Sequence, residues 1–245
     1  MPRFFIDADP NTGHRFFLPE GATRHVQVLR MQPGQELVLF NGRGGQWRAQ
    51  IERIERRQVT VRVLHFDAID AEPGRRVHLA LGMPANERMD WLVEKATELG
   101  AASLQALMTT HSVVRLAGER ADKKRLHWQA VAAAACEQCG GNRLPEIGAP
   151  CELGPWLASS PSTPTHRFVL SLQPGATILS PSLLASASEG DLLFLSGPEG
   201  GLSSDEEARA RGCGFVPVSL GPRILRAETA ALTALILALQ RPPAP

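Results

Sequence analysis

The sequence predicts an α/β protein in two parts: a small β-barrel over residues 1–70, then an α/β domain with a mostly parallel sheet over residues 71–245. Three observations carry this reading. Short alternating apolar stretches crowd the first 66 residues. From Val77 the rhythm changes to strand-length apolar runs separated by helical stripes. Between the two lies Asp67 to Arg76, a polar stretch containing Pro73 and Gly74 with the composition of a linker.

The elements follow in order. Leu37 to Phe40 is an apolar run, and Asn41-Gly42-Arg43-Gly44-Gly45 behind it supplies the positive φ angles of a hairpin turn. Trp47, Ala49 and Ile51 alternate with Gln46, Arg48 and Gln50, as a half-buried strand requires, and Val59 to Val63 alternates likewise. Several short strands in so few residues suggest a small barrel. In the second part Val77 to Leu81 reads as a strand. Met89, Leu92, Val93, Ala96 and Leu99 form a helical stripe that Gly100 ends, and residues 119–138 form a second helix. Phe168 to Leu172, Leu192 to Leu195 and Phe215 to Val218 are runs of buried-strand type, with helices at 203–211 and 226–240 after the last two. Residues 159–165 read as a loop, and no solenoid repeat is present.

Composition narrows the function classes. Of 245 residues, 43% are hydrophobic and 21% charged, which fits a packed globular chain rather than a disordered one. The longest apolar stretch, Ala230 to Leu239, is interrupted by Thr233 and is too short to span a membrane. The opening residues bring an acid at Asp7 and no extended apolar core, so no signal peptide is expected. Four cysteines make no disulfide framework, and the expectation is a soluble cytoplasmic protein. Net charge is +1, but residues 1–66 carry ten Arg against six acids, a mild hint of nucleic acid.

Two loops and one cysteine pair stand out. Leu195 to Ser203 (Leu-Ser-Gly-Pro-Glu-Gly-Gly-Leu-Ser) leaves an apolar strand and enters a helix that Ser203 or Ser204 caps, with Glu206 or Glu207 completing a capping box. Glycines at the C-terminal end of a strand let backbone approach a ligand, and that edge of a parallel sheet is where ligands bind. Ser219 to Thr229 repeats the arrangement and puts Arg226 and Glu228 at a helix entrance, where a basic residue opposes the helix dipole. The plainer reading makes each loop a tight turn and Arg226 the partner of Glu228; two such loops on consecutive strand ends weigh against it. Cys136 and Cys139 have C-x-x-C spacing, but Cys151 and Cys213 form no second close pair and no His lies near in sequence, so no metal is expected. The chain lacks a P-loop, a G-x-S-x-G elbow and an H-E-x-x-H helix.

Four segments together resemble the bacterial 16S rRNA (uracil-N3) methyltransferases, the RsmE family of the SPOUT class. They are Met1 to Phe5, Glu87 to Gly100, Ala135 to Gln138 with Asn142 to Ile147, and the two loops. The ordered set covers nearly the whole chain. The resemblance implies a PUA-like RNA-binding β-barrel at the N-terminus and a SPOUT domain whose C-terminal segment forms a deep trefoil knot. It implies S-adenosyl-L-methionine bound in that knot at a homodimer interface, and methylation of a 16S rRNA uridine near the decoding centre, on rRNA or on the small ribosomal subunit. The cofactor residues it implies are Leu172, Gly197, Gly200, Leu220, Gly221, Ile224 and Leu225. The chain departs from the family pattern at Thr110-His111, where an acid–Arg pair is common, and at Gly141, where Arg is common.

Uracil N3 must lose its proton before it can attack a sulfonium methyl. The site must therefore favour the uracil anion, the role expected of Arg226, and accept the proton, for which Glu199, Glu228 and water are candidates. Arg3, Arg24, Arg30, Arg43 and Arg48 are the candidate phosphate ligands. The rival readings are a SPOUT methyltransferase acting on ribose 2′-O or on tRNA, and a non-catalytic RNA-binding assembly factor.

Overall fold

Two sheets with different hydrogen-bond patterns organise the chain. The computed structural model describes residues 1–84, 86–159, 166–187 and 190–240. The loop expected at 159–165 lies, apart from Ser159, outside the described residues. Two units separate: Met1–Glu72 with Ala133–Leu144, and Pro73–Ala132 with Pro145–Pro245.

The first unit contains β1 (Arg3–Phe5), β2 (Arg15–Phe17), α1 (Glu20–Val28), β3 (Glu36–Phe40), β4 (Gln46–Ile54) and β5 (Val59–Asp67). They form a five-stranded sheet in the order β1-β3-β4-β5-β2, with β1 parallel to β3 and the other pairs antiparallel. Leu39, Ala49, Ile51, Val61 and Val63 point inward onto Phe4, Ile6 and Val26 of α1, the helix whose apolar face closes the core. The β3–β4 turn has the backbone its glycines predict, with φ of +77° at Gly42, +102° at Gly44 and +66° at Gly45. Residues 133–144, which a boundary at residue 70 assigns to the second domain, pack with this unit. Glu137 accepts the Phe5 backbone N–H at 2.8 Å, and Asn142 donates to the Ile69 carbonyl at 2.8 Å.

The second unit contains β6 (Val77–Gly82), α2 (Asn86–Glu98), β7 (Ser103–Met108), most of α3 (Glu119–Cys139), β8 (Glu146–Glu152), α4 (Leu153–Ser159), β9 (His166–Leu170), β10 (Thr177–Ile178), α5 (Pro181–Ser186), β11 (Leu192–Ser196), α6 (Ser204–Gly212), β12 (Val216–Ser219) and α7 (Ala227–Leu239). Its sheet runs β10-β12-β9-β11-β6-β7-β8, parallel at every pairing. All five residues of β11 are buried, as expected of a strand covered on both faces. The chain lays β6, β7 and β8 outward in one direction, then returns to put β11 between β6 and β9. That reversal brings the C-terminal ends of β9, β11 and β12 side by side, the position where open parallel sheets bind ligands.

Candidate active site

The segments leaving β9, β11 and β12 enclose a cavity of about 430 Å³. Leu172 comes from the first, Gly197 and Gly200 from the second, and Leu220, Gly221, Ile224 and Leu225 from the third. The structure thus gathers all seven residues expected to hold a cofactor around one space. Glu199 and Arg226 line it as well; Glu228 does not.

Glycine is required here by close approach. A Cβ on Gly197 would stand 2.5 Å from the Leu202 backbone nitrogen and overlap the Gly201 carbonyl carbon. A Cβ on Gly200 would stand 2.9 Å from His111 Cβ. Gly82, at the end of β6, admits Pro198 in the same way. The loop then enters α6 through a capping box: Ser203 Oγ accepts from Glu206 N at 3.3 Å, and Glu206 accepts from Ser203 N at 2.9 Å. Of the pairs the sequence allowed, Ser203 with Glu206 forms. Glu206 also accepts the Thr110 N–H at 2.7 Å, while His111 Nδ1 donates to the Gly201 carbonyl at 3.1 Å. Burial disfavours the ionised Glu206, yet the hydrogen bonds from Ser203 and Thr110 outweigh it and hold this carboxyl below the usual carboxylate range. Thr110 and His111, where the chain departs from the family pattern, therefore brace the glycine loop from outside the cavity.

The charged groups divide by role. Glu199 is half-exposed and ion-paired with Arg88 at 3.0 Å. Arg226 is exposed, and its backbone caps α7 without a side-chain cap bond. Among the described residues no ion pair joins Arg226 to Glu228. Glu228 is buried, and its Oε2 has no hydrogen-bond partner among the described residues. Sequence reasoning missed Ser171 and Glu207, which also line the cavity. Ser171 Oγ and Arg211 both donate to Glu207 Oε1 at 2.7 Å. The sequence signal at Glu207 is its place as an alternative capping acid, a role that Glu206 takes.

In the first unit the five arginines expected to meet phosphate are mostly engaged. Arg3 donates to Gln46 Oε1 and Asn142 Oδ1 at 2.6 Å and to the Gly141 carbonyl at 3.0 Å, and it lies 4.9 Å from the centre of the Phe40 ring. Its half-buried guanidinium ties strand to loop. Arg43 pairs with Asp7 and Asp9, Arg48 with Asp67, and Arg24 with Glu20. Arg30 is exposed, at a left-handed φ of +53° just past α1. Cys136 is buried and Cys139 exposed, and neither is in a disulfide. A hydrogen bond from Cys139 and burial push the Cys136 thiol up. Among the described residues no group of three or more His, Cys, Asp or Glu is arranged to hold a metal ion.

A parallel sheet with glycine loops around a ligand-sized cavity, in a chain that also carries a separate small β unit, has counterparts among known proteins. Residues 71–239 match the RNA methyltransferase domain family, and residues 18–64 match the RNA methyltransferase PUA domain family. A Neisseria gonorrhoeae ribosomal RNA small subunit methyltransferase E, solved bound to S-adenosyl methionine, is 32% identical, with a TM-score of 0.85 over 96% of this chain and 95% of that one. A Legionella pneumophila protein described as a methyltransferase and solved with the cofactor SAM is 34% identical, with a TM-score of 0.88 over 97% of this chain and 96% of the other. The ribosomal RNA small subunit methyltransferase E of Buchnera aphidicola (Schizaphis graminum) is 31% identical over 98% of this chain and 96% of its own length. The chain belongs to the ribosomal RNA small subunit methyltransferase E family.

Proposed function

We propose that this protein methylates N3 of a uridine in 16S rRNA, with S-adenosylmethionine as donor, as a homodimer in the cytoplasm. The observation that carries this reading is the single cavity that three adjacent strand ends build from glycine backbone, apolar walls and Arg226. Its composition fits the cofactor. Leu172, Leu220, Ile224 and Leu225 offer apolar walls for adenine and the methionine chain, and the glycine loop offers backbone groups at contact distance. When bound, the cofactor supplies an electrophilic sulfonium methyl.

The chain's residues then have three tasks. The loops hold the reacting partners in line. Arg226, exposed at the cavity and held in no ion pair with Glu228, presents its planar fork to a uracil oxygen and favours the ring anion. Glu199 accepts the N3 proton, with Arg88 fixing its carboxylate. Glu228 takes no proton in this reading, because it lies outside the cavity lining; it sets the first turn of α7. The stretch from β11 to α7 is the knotted part of the chain on the same reading. Pairing of two copies is supported by α7, which is apolar on nearly all sides yet leaves Ile236 exposed, and by Leu172 and Ile224 standing exposed at the cavity.

Primer extension on rRNA from a strain lacking the protein tests the reaction, since a methyl on N3 blocks pairing and stops the polymerase. Loss of one stop, restored by the gene, is the expected result. An unchanged stop pattern, or loss of a ribose methyl by nucleoside mass spectrometry, sinks the proposal. Sedimentation that finds an active monomer removes the dimer.

A further inference from the structure

The outward face of the first unit's sheet carries a charge and ring pattern that the cavity does not use. On β2, Phe16 points inward and packs on the core, so Arg15 and Phe17 point out, and Phe17 is 59% exposed. Arg15 lies opposite Arg62, and Phe17 opposite Thr60, of β5. Glu52 of β4 accepts from Arg15 Nε at 2.7 Å and from Arg62 Nε at 2.6 Å. Burial opposes ionisation of Glu52, but the bonds and charge of Arg62 and Arg15 hold its carboxyl below the usual range. One carboxylate therefore orients two guanidinium groups and leaves the group with a net positive charge and outward N–H donors. The end of β4 adds Arg53, and the β4–β5 turn adds Arg56 and Arg57, against Glu55; Gln27 of α1 fixes the turn by donating to the carbonyls of Glu55 and Arg56.

An exposed ring beside two braced arginines matches what single-stranded RNA asks of a sheet: a stacking surface for a base and forked donors for the phosphate next to it. Residues two apart on a strand are about 6.6 Å apart, within the reach of one nucleotide. We propose that this face binds a single-stranded segment of the RNA substrate, with Phe17 stacking on a base and the Arg15–Glu52–Arg62 group holding a phosphate. The inference rests on the RNA-methyltransferase reading for the presence of an RNA partner. It adds Arg15, Phe17 and Arg62 to the candidate RNA contacts, beyond the five arginines singled out in the sequence.

The test is fluorescence anisotropy of a labelled oligouridylate with the full chain and no cofactor, at several salt concentrations. Phe17→Ala and Phe17→Leu should each weaken binding by roughly 5- to 100-fold, and Phe17→Trp should retain it. Arg15→Gln with Arg62→Gln should lower the slope of log affinity against log salt by about 1 to 2. Affinity within about twofold of wild type in both sets overturns the proposal. So does a Phe17→Leu protein that binds normally while Phe17→Ala does not, since packing and not stacking would then matter. A folded Phe17→Trp protein that fails to bind overturns it too, and so does a change in sedimenting mass at unchanged RNA affinity, which would make the face a protein contact. Calorimetry with S-adenosylmethionine separates the two readings: a wild-type chain that binds the oligonucleotide but not the cofactor sinks the methyltransferase proposal and leaves this one standing.

Discussion

The seven-stranded sheet is parallel and its central strands are buried on both sides; the five-stranded sheet is mostly antiparallel, is buried on both faces at β3, and opens one face to solvent along β5 and β2. In β11 every residue is buried, whereas in β5 Val59, Val61 and Val63 are buried and Arg62, His65 and Phe66 are exposed. A sheet with both faces covered has only its strand ends left for chemistry. There the chain builds a small-molecule cavity from loop backbone. A sheet with one free face can present side chains in register over a wide area, which suits a long polymer. On the two proposals above, the recognition tasks are divided by strand direction, and substitutions in one sheet should leave the other's task intact.

The largest expected effect falls on rate. Arg226→Lys keeps the charge and loses the fork, so single-turnover methylation should slow by about 100-fold or more while cofactor affinity changes little. If the melting temperature and cofactor affinity fall together, Arg226 is a structural residue and not the group that favours the uracil anion. Next comes Gly197→Ala. Its Cβ must displace loop backbone 2.5 Å away, an overpacking cost of about 1–3 kcal/mol, or roughly 5- to 150-fold in cofactor affinity by titration if it falls on the bound state. Oligonucleotide affinity should stay unchanged; a parallel loss would break the division between the sheets.

Arg3→Ala sharpens the comparison from the other side. It leaves the buried Asn142 and Gln46 without their guanidinium donor, at about 1–3 kcal/mol of stability. Denaturant unfolding should register this, with little change in the salt dependence of RNA binding. The smallest effect depends on pH. The folded Glu206 carboxyl lies below its unfolded value, so its contribution is present above about pH 4.3 and lost as pH falls through the folded value. Glu206→Gln should therefore melt below wild type at pH 7, with the gap closing in acid. A gap that persists in acid would show that shape rather than charge sets the loop.

The parts legible in the sequence were local. The glycines of residues 41–45, the capping acids after Ser203 and the alternation at Trp47 to Ile51 each fix a backbone conformation through their immediate neighbours. β8 was hidden because Gly148 and Pro150 look like breakers; it runs at the sheet edge beside a register irregularity, where proline is tolerated. β2 and β10 are three and two residues long and carry no period to read. Arg3 looked like a free cation because its partners, Asn142 and Gly141, lie 139 and 138 residues away.

The sequence by itself determined the change from short alternating strands to strand–helix alternation near residue 70, the two glycine loops and the residues in them, because periodicity and turn chemistry are short-range. No local pattern, but only the tertiary structure, decided that the segment after β9 joins those loops around one cavity, that Glu228 lies outside its lining, and that residues 133–144 pack with the first unit. Those outcomes depend on strand order. Inserting β11 between β6 and β9 is a choice among pairings of similar apolar strands, and it is settled by long-range burial rather than by any local pattern.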